Sequence, residues 1–120
     1  MQKIEFIKMH GLGNDFVIID NRINSILITP SIINKLSDRK FGAGCDQLIT
    51  INKSIGEEDV RIEIYNPNGD KAEACGNGTR CVAKLLFEEN NKKSINILSD
   101  AGILNATYKN ENNISVNMGK

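Results

Sequence analysis

No stretch of this 120-residue chain stays apolar long enough to cross a bilayer. Neither sign of charge is in excess, since 15 acidic residues balance 15 basic ones and the isoelectric point is near 6.6. These absences exclude a membrane-spanning helix and a basic field for nucleic acid or anionic lipid. Histidine occurs once, as His10, and cysteine only at Cys45, Cys75 and Cys81, with no C-x-x-C pair. The ligand pattern of a zinc site is therefore missing. An odd number of thiols also argues against a disulfide framework and for reduced cysteines. A Cys75–Cys81 bridge is excluded if both lie in one helix, because their Cα atoms would stand roughly 9 Å apart, beyond the roughly 7 Å that a disulfide spans. There is no Gly-Lys-Ser/Thr phosphate loop, no strand-linked G-x-G-x-x-G, no repeat and no low-complexity block. Residues Met1 to Phe6 interrupt their apolar members with charge, so no secretory leader is expected and the expected location is cytoplasmic. The length suits one domain with a hydrophobic core of its own.

The residues that are present read as short strands with two helices, an α+β arrangement. Ile4 to Met9 and Phe16 to Asp20 are β-rich runs around a polar, glycine-bearing segment, His10 to Asp15, which reads as a loop. Thr29-Pro30 supplies an N-cap and a first-turn proline for a helix ending near Asp38, with Ile32, Ile33 and Leu36 on one face. Leu48 to Asn52 and Val60 to Tyr65 read as strands, the second closed by the turn Asn66-Pro67-Asn68-Gly69-Asp70. A second helix is expected from about Gly78 to Glu89. Its apolar residues wrap much of its circumference, which predicts a helix enclosed by sheet. Ile95 to Leu98, Ile103 to Tyr108 and Ile114 to Met118 complete the strands.

The segment richest in chemistry is Ala74-Cys75-Gly76-Asn77-Gly78-Thr79-Arg80-Cys81. A thiol at the start of a helix is acidified by unpaired N–H groups and the positive end of the helix dipole. Glycines beside it let a small anion such as a carboxylate approach those same N–H groups. Cys75 is thus a candidate base, whereas Cys45 and Cys81 read as small buried hydrophobes. His10 reads as a loop hydrogen-bonder and Asp15 and Asp46 as loop braces. For Arg80 a carboxylate of the protein and one of a ligand are both open. Asn14, Asn66 and Asn77 also suit turns or helix caps on their own.

Together, Lys8-Met9-His10-Gly11-Leu12-Gly13-Asn14-Asp15-Phe16, Gly42-Ala43-Gly44-Cys45-Asp46-Gln47-Leu48, Tyr65-Asn66 and the Cys75 segment resemble, in order and spacing, the successive N-terminal motifs of diaminopimelate epimerases. The resemblance implies a mostly antiparallel sheet wrapped around a central helix. It implies that residues 1–120 form the first of two pseudo-symmetric domains, with the C-terminal domain outside this chain. It further implies interconversion of LL- and meso-diaminopimelate, a step toward lysine and cell-wall precursors, by proton transfer between two cysteines without pyridoxal phosphate, metal or other cofactor. Cys75 matches one of those cysteines; Asn14, Gln47, Asn66, Gly76 and Asn77 match substrate-binding positions. The second cysteine belongs to the other domain, so the 120 residues alone are expected to be inactive and to dimerise or aggregate through an uncovered sheet edge. Two other readings are open: another cofactor-independent amino-acid racemase, or a non-catalytic module that binds small anions or a partner.

Overall fold

A computed structural model of the chain describes residues 4–11, 13–22, 26–72, 76–110 and 113–117. Cys75, on which the chemical reading turns, and Met118, the expected end of the last strand, lie outside the described residues. The chain forms β1 (Ile7–Gly11), β2 (Asn14–Asp20), α1 (Pro30–Ser37), β3 (Gln47–Asn52), β4 (Val60–Tyr65), α2 (Gly76–Glu89), β5 (Ser94–Ser99), β6 (Gly102–Asn110) and β7 (Asn113–Asn117). All seven strands join one sheet in chain order. Four neighbouring pairs are antiparallel, while β2–β3 and β4–β5 are parallel. Each parallel pair is bridged by a helix, because parallel neighbours need a crossover rather than a hairpin. The sheet is thus mixed, with an antiparallel majority.

Residue alternation explains how the sheet takes a helix on each face. Phe16 and Ile18 of β2 and Ile49 and Ile51 of β3 join a core with Val82, Ala83, Leu86 and Phe87 of α2. Val17, Ile19 and Leu48 point the other way, into a smaller core with Ile33 of α1 and Cys45. Strands β2 and β3 are therefore buried on both faces, and their apolar runs are nearly continuous. Strand β4 alternates instead, with Val60, Ile62 and Ile64 buried and Arg61, Glu63 and Tyr65 half-exposed. Helix α2 touches β1 and β2 on one side and β6 and β7 on the other, so the sheet curls around it. Met9 of β1 and Ile114 and Val116 of β7 pack on the α2 core from its two flanks.

Helix α1 starts as its sequence predicts. Thr29 caps it by accepting a hydrogen bond from Ile32 N, with Pro30 in the first turn. After Ser37 the chain doubles back over the helix end: Gly42 N donates to Asp38 O at 2.9 Å, Gly44 N to Leu36 O at 2.9 Å and Cys45 N to Ser37 O at 3.3 Å. The return is so close that a Cβ on Gly42 would lie 2.0 Å from Lys35 O, which makes glycine obligatory there. Two expectations need correcting. Residues His10 to Asp15 do not form a broad loop, since His10 pairs with Asp15 and Gly11 with Asn14 at the end of a tight hairpin. Helix α2 begins at Gly76 rather than near Gly78.

Candidate active site

The expected binding residues come from separate elements but reach one end of the sheet. Asn14 opens β2 and Gln47 opens β3, whose parallel register sets Phe16 against Gln47. Asn66 directly follows β4, which runs back to this end, Tyr65 pairing with Leu48. The Gln47 Nε2 group donates to Asn66 Oδ1 across 3.5 Å. The turn after β4 is tied by Asn66 N donating to Asp70 O at 2.8 Å and Gly69 N to Asn66 O at 2.9 Å, with Gly69 at φ +96°. These bonds hold Asn66 in place.

The first turn of α2 lies over the same end. A Cβ on Gly78 would come within 2.8 Å of Ile49 Cδ1 and 3.3 Å of Phe16 Cε1, so the glycine lets the helix sit directly on the starts of β2 and β3. A Cβ on Gly11, at the end of β1, would stand 3.4 Å from Cys81 Sγ and 3.7 Å from Asn77 Cβ. Beside Gly76, in contrast, an added Cβ meets no described atom within 4 Å. Arg80 Nη1 donates to Asn77 Oδ1 at 2.9 Å, which leaves the Asn77 nitrogen as the donor end. The helix start thus offers N–H groups in a polar setting.

The two other cysteines are buried. Cys45 and Cys81 are 2% and 6% exposed. Cys45 Sγ lies 3.5 Å from Ser37 Oγ, and Cys81 Sγ faces His10 O at 3.8 Å. A short pulse of iodoacetamide at neutral pH is expected to label Cys75 ahead of both. Peptide mapping reads the result, and prior labelling of Cys81 would remove Cys75 as the activated thiol.

Asp15 and Asp46 are more than loop braces. Asp15 N donates to Asp46 Oδ2 at 2.8 Å, and Asp46 N donates to Asp15 Oδ1 at 3.0 Å. Arg39 closes this pair by donating to both Asp15 oxygens and to Asp46 Oδ1, each at 3.0 Å, and Lys8 Nζ stands 3.6 Å from Asp15. The hydrogen-bonded Arg39 guanidinium holds the Asp15 carboxyl well below the usual carboxylate range. A cavity of about 360 Å³ opens here, lined by His10, Gly13, Asn14, Asp15, Arg39 and Asp46. Sequence reasoning missed Arg39, whose only signal is a basic residue just before the Gly42-Ala43-Gly44 turn.

Residues 6–120 match the family described as diaminopimelate epimerase. The chain is 38% identical over 119 residues to a diaminopimelate epimerase of Nitrosospira multiformis, covering 98% of this chain and 43% of that protein. It is 41% identical over 121 residues to the one of Rickettsia felis, covering 100% and 44%. The chain therefore spans less than half the length of these relatives. Among solved structures, a phenazine biosynthesis protein of the PhzF family from Bacillus anthracis matches with a TM-score of 0.70 at 23% identity, over 97% of this chain and 40% of that one. That likeness concerns the fold.

Proposed function

Because the chain belongs to the diaminopimelate epimerase family, we propose that the protein of which it forms part interconverts LL- and meso-diaminopimelate, with Cys75 as one of two proton-transferring thiols. The observation that carries this reading is the convergence of the α2 start with Asn14, Gln47 and Asn66 at one end of the sheet. The carboxylate of the reacting centre lies against the N–H groups of Gly76 and Asn77 at that helix start. As the α-proton leaves, negative charge spreads onto this carboxylate, and fixed N–H donors stabilise it more than they stabilise the ground state. Asn14, Gln47 and Asn66 supply amides that can donate to a carboxylate or accept from an ammonium group, which suits a diamino diacid.

Proton bookkeeping needs two thiols on opposite faces of the α-carbon. A Cys75 thiolate takes the proton and becomes a thiol, while a thiol of the second domain gives its proton to the other face and becomes a thiolate. The reverse reaction exchanges their roles. Residues 1–120 thus form the first domain of a two-domain cytoplasmic enzyme that acts on the way to lysine and cell-wall precursors. No helix among the described residues is long and apolar enough to cross a membrane.

The test is the full-length protein with LL-diaminopimelate in deuterated water. Conversion to the meso isomer with deuterium entering only at an α-carbon is expected. Racemisation of proline or hydroxyproline with no conversion of diaminopimelate would replace this reading by that of another amino-acid racemase.

A further inference from the structure

The binding amides Asn14 and Gln47 sit next to the two carboxylates that Arg39 bridges, and that adjacency assigns a role to a residue outside the ligand set. Five residue pairs, Phe16↔Gln47 through Asp20↔Ile51, already fix the parallel register of β2 and β3, and both faces of these strands are buried. An exposed ion pair is not needed to hold such strands together. The regular ladder ends at Gln47, however, and the residues before it are held differently. Asp46 N reaches Asp15 O and Asp15 Oδ1, Asp15 N reaches Asp46 Oδ2, and the two carboxylates are thereby forced close together. Like charges at this distance repel unless a cation lies between them. The Arg39 fork supplies a cation shared by both, with Nη1 and Nη2 on Asp15 and Nη2 also on Asp46, whereas Lys8 Nζ stands 3.6 Å from Asp15 and makes no contact with Asp46 among the ion pairs of the described residues.

Arg39 is itself held in place. Asp38 Oδ1 accepts from Lys40 N at 2.8 Å and Phe41 N at 3.2 Å, which fixes the turn that carries Arg39. Gly44, at φ +76°, leaves just enough room for the Arg39 stem, since a Cβ there would stand 3.0 Å from Arg39 Cγ and 3.1 Å from its Cα. The stem thus lies against the Gly44 backbone, while the half-exposed guanidinium is oriented by its hydrogen bonds to both carboxylates.

We propose that Arg39 is a positioning residue that sets the separation of Asn14 and Gln47 by clamping Asp15 to Asp46, so that both amides engage one substrate molecule. The inference rests on the proposed epimerase function, because it takes these amides as diaminopimelate ligands. Losing the clamp splays the amides without touching the helix start, so binding suffers more than chemistry. In the full-length protein, Arg39→Met is expected to raise KM for diaminopimelate about tenfold while kcat changes by less than about threefold. Arg39→Lys, whose ammonium cannot bridge both carboxylates with a planar fork, is expected to fall between. Arg39→Met/Asp46→Asn removes the repulsion left behind and is expected to recover part of the KM.

A second readout does not depend on activity. Amide exchange at Asp15 and Asp46 should quicken about tenfold in Arg39→Met, while Ile18 and Ile49 keep their protection. Unchanged exchange at Asp15 and Asp46 overturns the inference even if the protein acts on another substrate. An unaltered KM in both single variants overturns it too, as does a loss confined to melting temperature or folded yield. A wild-type protein without diaminopimelate turnover would instead defeat the proposed function, and the exchange measurement would still decide the clamp.

Discussion

In the full-length protein, Cys75→Ser is expected to lower kcat for diaminopimelate about 10⁴-fold, the upper range for losing a positioned proton-transfer group. That corresponds to about 5.5 kcal/mol of transition-state stabilisation. A hydroxyl fits the space of a thiol but is far too weak an acid to be deprotonated by a helix N-terminus, so it can neither take the α-proton nor return it at neutral pH. Stability should change by less than about 1 kcal/mol. Val82, Ala83, Leu86 and Phe87, further along the helix, supply the packing of α2 against the sheet. Solvent-deuterium wash-in at the α-carbon and thermal unfolding are measured side by side. Near-normal wash-in by the serine variant would end the two-thiol mechanism, and unfolding of the variant would show that Cys75 has a structural role instead.

The 120 residues alone are expected to show no measurable epimerisation. A two-base inversion needs a proton donor on the opposite face and an enclosure that excludes water, and the proposed function looks for both in a second domain. The same chain is expected to self-associate. Strands β1 and β7 are the ends of the sheet, each paired on one side among the described residues, and the half-covered Met9, Leu85, Ile114 and Val116 lie near that gap around α2. Backbone groups along such an edge can pair with another chain. Sedimentation and turnover of LL-diaminopimelate are the measurements, with a Cys75→Ala preparation to exclude host enzyme. Sustained turnover by the 120-residue chain would contradict its assignment as half a catalyst, and a stable monomer would contradict the open edge. Addition of the separately prepared remainder of the protein should restore activity.

Local chemistry made most of the fold legible in the sequence. Thr29-Pro30 marked the start of α1 because a hydroxyl cap and a fixed φ act within one turn, and Asn66 to Asp70 marked the end of β4 for the same kind of reason. The apolar circumference of α2 foretold its enclosure. Gly76 and Gly78 concealed the helix start, since glycine propensity argues against helix while the contacts of Gly78 with Ile49 and Phe16 demand it. The parallel pairs were hidden for a related reason: a strand's pattern shows how many faces it buries, not which neighbour runs beside it. Arg39 was hidden because its partners lie 24 residues before it and 7 after it, in segments joined only when β2 and β3 pair. The family motifs pointed to Asn14, Gln47 and Asn66 as candidates, whereas their meeting at one end of the sheet and the bond from Gln47 to Asn66 emerge only from the strand pairing.

The match between sheet order and chain order bears on how the protein is made. From β1 to β7 every strand lies beside the one synthesised just before it. No strand must wait for a distant partner, so loop-closure costs stay low and the sheet can grow as the chain leaves the ribosome. Helix α2 emerges between β4 and β5, when half the sheet is in place to receive it, and β5 to β7 then curl over its far side. The nascent sheet therefore gains its strands one neighbour at a time, with α2 already seated when the last three are added.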